Sequence, residues 1–423
     1  MVNYKKTVLE NGLRIITVPS KSTKTAAVLV LVKTGSKYET KDINGLSHFL
    51  EHMFFKGTKK RPNIVKIIEP LDQIGGKYNA FTGQEYTGYW AKVDASHLDL
   101  ALDWVSDIYL NSVFDEKEIN RERGTILQEL NMILDTPMYH VGHLWPKLLY
   151  GDQPIGWDLI GTKDTITKIQ RNDFVNYLKN HYSAKNTVIA VAGNINEKTT
   201  IDKIKKYFQK INSQQVKDKL AVKEKQNKPQ ALIHYKETDQ SHLILGVRAY
   251  NMFHPDKYVL SVLGTILGGY MSSRLFISVR ERQGLAYYIS AGADMDTDTG
   301  YLIASAGVDN KKVDKAIKTI LDEFKKITKQ KVSSKELKKA KDNIKGSTLI
   351  GMEASDTQAS FYASQELLTN EILTIEQKFA KIEAVTVDDI QRVAQDIFKP
   401  EKLNLALIGP FKDKNHFNKI LNL

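Results

Sequence analysis

Apolar and polar residues alternate along residues 5–19 and the alternation breaks at Asn11-Gly12, the pattern of two strands joined by a turn. Residues 26–33 are almost wholly apolar and read as a buried strand. From residue 44 the period changes: Leu46, Phe49, Leu50 and Met53 fall on one helical face. Pro62 opens a further helix reaching about residue 74, where Gly75-Gly76 closes it. Strands are expected at 77–81 and 86–93, on either side of Thr82-Gly83-Gln84. Helical periodicity covers 94–110, 115–133, 139–150 and 164–181, then a buried strand at 187–192 and a helix ending near Ile211.

Residues 213–230 are polar and lysine-rich with little apolar period, as in a linker. The pattern then restarts. Strands are expected at 231–235, 242–249, 287–293, 300–307 and 403–408, and helices at 256–267, 272–282, between 310 and 368, and at 387–398. The restart is a duplication. Asp173-Phe174 and Ala190-Val191-Ala192-Gly193 match Asp389-Ile390 and Ala406-Leu407-Ile408-Gly409, both at an offset of 216 residues. A period this long indicates two related domains, 1–212 and 231–423, rather than a solenoid. Strands and helices mix without strict alternation, so the expected class is α+β, each domain a mainly antiparallel sheet covered by helices.

Composition narrows the class. The chain has 423 residues, 42% of them hydrophobic, enough for two filled cores. No run of eighteen apolar residues occurs, so no membrane span is expected. The N-terminal ten residues lack the apolar core of a signal peptide, and a cytoplasmic location is expected. The absence of cysteine excludes disulfides and thiolate metal sites. The net charge of +12 comes from lysines dispersed over helical stretches, which read as solvated faces rather than a nucleic-acid surface.

The chemistry concentrates in His48-Phe49-Leu50-Glu51-His52. Two histidines four apart project from one side of a helix and can grip one zinc ion, with a carboxylate base beside them. A catalytic zinc needs a third protein ligand. Glu122 and Glu129 lie two turns apart on one face of the 115–133 helix; one can ligate while the other supports a histidine or a water. The second half has no histidine or carboxylate at the matching place, residues 261–267, so the fold itself does not require them. His140 and His143, three apart, lack a placed carboxylate and read as a solvated helix face.

His-x-x-Glu-His followed, after 76 residues, by Glu129 resembles the inverted-motif zinc peptidases of the pitrilysin, insulysin and mitochondrial processing peptidase family. The resemblance implies one Zn2+ per chain on His48, His52 and Glu129, with Glu51 as general base on zinc-bound water and Glu122 assisting. The run Ser272-Ser273-Arg274-Leu275-Phe276, with Arg280 and Tyr287 seven apart, is similar to the family's second signature. Read without it, the same run is a glycine turn, an amphipathic helix and the start of a strand. The resemblance gives Arg280 and Tyr287 the tasks of binding substrate and stabilising the oxyanion, and Asn79, Ala80 and Phe81 that of a substrate-binding strand edge. It also implies a two-domain chain that pairs, as a homodimer or with an unequal partner, around a peptide chamber. The expected function is therefore a zinc metalloendopeptidase acting on unfolded peptides or short polypeptides. A non-catalytic scaffold of the same fold is the alternative.

Overall fold

Eleven strands form two sheets in the computed structural model, which describes residues 4–423. Met1 to Asn3, part of the N-terminal stretch read above for a signal peptide, lie outside the described residues. The first sheet uses β1 (Lys5–Val8), β2 (Arg14–Pro19), β3 (Thr25–Val32), β4 (Lys77–Thr82), β5 (Thr87–Asp94) and β6 (Thr187–Gly193), in the order β1-β2-β6-β3-β5-β4. The second uses β7 (Gln230–Tyr235), β8 (Gln240–Arg248), β9 (Ala286–Met295), β10 (Gly300–Asp309) and β11 (Leu403–Gly409), in the order β7-β11-β8-β10-β9. Each sheet is mainly antiparallel with one parallel pair, β2 with β6 and β7 with β11. The fold is α+β and repeats itself.

β3 and β6 lie at the centre of the first sheet, and seven of the eight residues of β3 and all of β6 are buried. Their near-continuous apolar sequences follow from that: a strand covered on both faces has no polar side to show. β4 stands at the opposite extreme. It pairs only with β5 and leaves its other edge unpaired among the described residues.

The compact units are not two consecutive stretches of chain. The first takes in the residues up to Leu130, Trp157–Leu220 and Leu349–Leu373; the second takes in Asn131–Gly156, Ala221–Thr348 and Thr374–Leu423. Each half thus lends a helix to the sheet built from the other: Ser355–Thr369 lies on β3 and β6, and Pro137–Tyr150 on β8 and β11. In the first unit, Ser355 meets Thr25 at 3.0 Å between hydroxyls, and Asp356 pairs with Lys92 at 2.7 Å. In the second, Trp145, Leu144 and Leu149 pack with Ile244, Ala406 and Ile408.

Several local expectations change. The helix expected from Pro62 begins at Ile64, because Asn63 accepts the Lys66 amide at 3.0 Å and so caps it. The 164–181 stretch is two helices, Lys163–Lys168 and Arg171–His181; Asp173 accepts the Gln170 amide and starts the second. The 272–282 stretch winds as a π-helix over Phe276–Glu281, with the Arg282 amide reaching back to Ile277. His140 is buried, its ring 4.6 Å from that of His234, and not on a solvated face: the helix carrying it covers the second sheet.

Candidate metal centre

The motif occupies a short helix, Leu46–Met53. Eight residues are too few to hold a helix in water by propensity alone. Packing holds this one: Leu46, Phe49, Leu50 and Met53 are buried, and Phe49 meets Phe174 edge to face at 5.0 Å. Each such side chain contributes about 1.5–3 kcal/mol by leaving water. Gly45 enters the helix at φ +94, and a Cβ there would stand 2.6 Å from the Ile160 carbonyl oxygen. Glu39 receives the helix start. Its carboxylate accepts the Gly45 amide at 2.8 Å, the Ser47 amide at 2.6 Å and the Asn44 side chain at 3.1 Å. Burial pushes the Glu39 carboxyl up to about 7, and the same hydrogen bonds pull against it.

The opposite face of this helix carries the chemistry. His48 and His52 stand with ring centroids 4.7 Å apart. Glu129, on the helix Glu116–Asp135, comes to both: one oxygen lies 3.6 Å from His48 Nε2 and the other 3.6 Å from His52 Nε2. The three residues offer ligand atoms within 4.8 Å of one another. Separations of 3.6 Å are long for hydrogen bonds but close to the edge of a tetrahedron, roughly 3.3–3.5 Å, that ligands about 2.0–2.1 Å from one zinc describe. His–His–Glu is also a donor set zinc accepts. The residues fit the metal.

The surroundings prepare each ligand. His52 Nδ1 lies 2.8 Å from Glu122, so a proton on Nδ1 leaves Nε2 free to ligate. Lys56 meets the same glutamate at 2.5 Å. Burial works to raise the Glu122 carboxyl, but the bonds from His52 and Lys56 outweigh it and hold it below its ordinary value. Burial first, and His52 second, push the His48 imidazole down to about 3, so its ring is neutral, the form that ligates. Glu51 accepts the Thr82 hydroxyl at 2.6 Å. Its carboxyl is raised, by burial foremost and by Glu129, against the pull of Thr82 and His52. Glu39, Thr82 and Lys56 escaped the reading of the sequence. All three sit in loop or strand positions with no periodic signal.

The other expected residues take varied positions. Asn79 is exposed, Ala80 buried and Phe81 half-buried on edge strand β4, and Asn79 Oδ1 accepts the Ala80 amide at 2.9 Å. Arg280 and Tyr287 belong to the second unit. The Arg280 guanidinium lies over the Phe276 ring at 4.7 Å, and Tyr287, on β9, is 76% exposed. Among the described residues no helix is long and apolar enough to cross a membrane.

Residues 14–163 match the family described as insulinase (peptidase family M16), and residues 168–344 match the peptidase M16 inactive domain. A protein of Bacillus subtilis named as an uncharacterized zinc protease is 36% identical over 96% of this chain and 98% of its own length. One of Streptomyces coelicolor with the same description is 33% identical over 97% and 90%. The crystal structure of a protease from Helicobacter pylori superposes with a TM-score of 0.91 at 25% identity, covering 97% of this chain and all of the other. A peptidase M16 inactive domain from Pseudomonas fluorescens shares the fold, with a TM-score of 0.90 at 17% identity. The chain belongs to the M16 (insulinase) peptidase family and is a homologue of its two-domain bacterial zinc proteases.

Proposed function

We propose that the protein is a zinc-dependent endopeptidase that hydrolyses unfolded peptides or short polypeptides. The observation that carries this reading is the convergence of His48 Nε2, His52 Nε2 and the Glu129 carboxylate next to a base-competent Glu51. His48, His52 and Glu129 hold the metal. Bound zinc supplies Lewis-acid polarisation of water and of the scissile carbonyl. Glu51 takes a proton from the attacking water and returns it to the leaving amine, while Thr82 fixes one carboxylate oxygen and leaves the other for the proton. Glu122 holds His52 in the ligating tautomer.

The substrate lies extended along β4, adding a strand to the sheet edge with Asn79, Ala80 and Phe81 against it. Arg280 and Tyr287 are donors suited to an oxyanion. In this proposal two copies pair around a chamber, and Arg280 and Tyr287 of one copy serve the metal site of the other. A non-catalytic scaffold is the competing reading, and the presence of ligands, base and supporting carboxylate together favours the enzyme over it.

The test is hydrolysis of an unstructured, fluorescence-quenched peptide by zinc-loaded protein, with Glu51→Gln and a chelator as controls. Cleavage lost in both establishes the peptidase. Failure to bind zinc or to cleave any peptide returns the chain to the scaffold reading.

A further inference from the structure

The helix that carries the motif has no cap of its own. Gly45 precedes it and offers no side chain, and no side-chain bond from Gly45 closes its first turn. The first amides of a helix need partners. A segment that must hold two metal ligands and a base steady is a poor place to leave them to water. Glu39 meets this need from a distance. It lies in the loop after β3, is 3% exposed, and engages with both carboxylate oxygens: one takes the Ser47 amide, the other the Gly45 amide and the Asn44 side chain. Asn44 is held in turn on the Asp158 carbonyl at 2.9 Å. The Ser47 side chain, on the same turn, is fixed from behind by Tyr177 at 2.9 Å, and Tyr177 is anchored on Thr34 at 2.8 Å.

We propose that Glu39 is a positioning residue of the metal site: it caps the motif helix in place of a local N-cap and fixes the rotation and axial position from which His48, Glu51 and His52 project. The Ser47 amide that it grips belongs to the residue just before His48. A carboxylate is matched to the partial positive charge of a helix start. A site whose reacting atoms shift by about 1 Å can lose on the order of 100-fold in rate. The inference rests on the reading of Glu51 and the His–His–Glu group given above.

Three variants of the zinc-loaded full chain test it: Glu39→Gln, Glu39→Asp and Asp107→Asn. Glu39→Gln replaces one acceptor oxygen with an amide nitrogen, which donates and cannot accept a backbone N–H. Glu39→Asp keeps the charge and shortens its reach. Asp107, also 3% exposed and in the same unit, bonds Thr58 and Arg61 and has no part in the motif helix. Zinc affinity is read by chelator competition, peptide hydrolysis as kcat and KM, and stability as Tm. The expected result is zinc affinity and kcat at saturating zinc each reduced about tenfold or more in Glu39→Gln and less in Glu39→Asp, with KM little changed. Asp107→Asn should lower Tm and leave zinc affinity at the parent's value.

Folded Glu39 variants with parental zinc affinity and kcat would overturn the proposal. So would loss of folding in both, because Glu39 would then serve the whole unit and not the motif. If the parent itself neither binds zinc nor cleaves peptide, it is the proposed function that fails.

Discussion

Thr82 Oγ1 stands 2.6 Å from Glu51 Oε2, joining the last residue of edge strand β4 to the carboxylate proposed as general base. A hydroxyl donating to a carboxylate at this distance makes a charge-assisted bond worth about 1.5–3 kcal/mol. It holds Glu51 in one rotamer and ties the base to the strand on which the substrate is proposed to lie. Thr82→Val should therefore lower kcat by roughly 10-fold to 100-fold, since about 1.4 kcal/mol is a factor of ten. Thr82→Ser, which keeps the donor, should recover most of it. Zinc content should be equal in both, and unequal zinc content would place Thr82 among the groups that hold the metal.

Glu51→Gln should abolish turnover and leave zinc bound. The carboxylate is not among the three converging ligands, and its amide analogue cannot accept the proton from water. General-base catalysis is worth typically 10²–10⁴-fold, and a loss smaller than about tenfold would remove Glu51 from that role. Zinc content measured on the same samples separates this outcome from loss of metal.

Glu122→Gln should weaken zinc binding by about 10–100-fold without abolishing it. Glu122 meets the candidate ligand His52 at Nδ1, and an amide in its place is a weaker and orientationally ambiguous acceptor. The change also strands Lys56, which loses the carboxylate it meets at 2.5 Å. Chelator competition checks the prediction; loss as complete as that of His52→Ala would instead make Glu122 a direct ligand.

The parts of this site differ in how far a sequence reveals them, and the difference is physical. His48, Glu51 and His52 share a single helix, where spacing alone determines which face each side chain takes. Glu122 and Glu129 lie on another helix, and the heptad spacing places them on one face without saying what that face meets; the family resemblance supplied the missing partner. Glu39 and Thr82 reach the site through tertiary contacts of a loop and a strand end, positions whose neighbours no local period encodes. The exchanged helices show the same limit. The buried face of Ser355–Thr369 mixes Ala359, Tyr362, Ala363 and Leu367 with Ser355, Gln358 and Glu366, and nothing in that pattern selects β3 and β6 over a sheet of its own half. The π-helical turn at Phe276–Glu281 was likewise hidden, because its residues repeat as those of an α-helix do over so short a span.

Gly45→Ala should destabilise the first unit and the metal site together. The residue holds φ +94, which costs an L-residue about 1–2 kcal/mol, and the added methyl would meet the Ile160 carbonyl and the Ile166 side chain at 2.6 and 2.7 Å. Thermal unfolding with and without zinc checks this. A loss of about 2 kcal/mol or more in the metal-free protein is expected, with zinc affinity falling alongside.

Arg280 and Tyr287 provide the test of assembly. If two copies share their sites, each copy supplies ligands and base to one site and the arginine–tyrosine pair to the other. Arg280→Ala and Glu51→Gln should each be nearly inactive alone with zinc still bound, since neither residue is a ligand. Mixed and allowed to exchange, they should regain activity: in a mixed pair, the site on the Arg280→Ala copy keeps its own Glu51 and receives an intact Arg280 from its neighbour. At full exchange half the dimers are mixed and each has one complete site of two, so about a quarter of the parent's rate is expected. Recovery of that size requires sites shared between chains. A mixture no more active than its components, despite exchange demonstrated by subunit labelling, would place Arg280 and the metal it serves within one chain or remove Arg280 from the reaction.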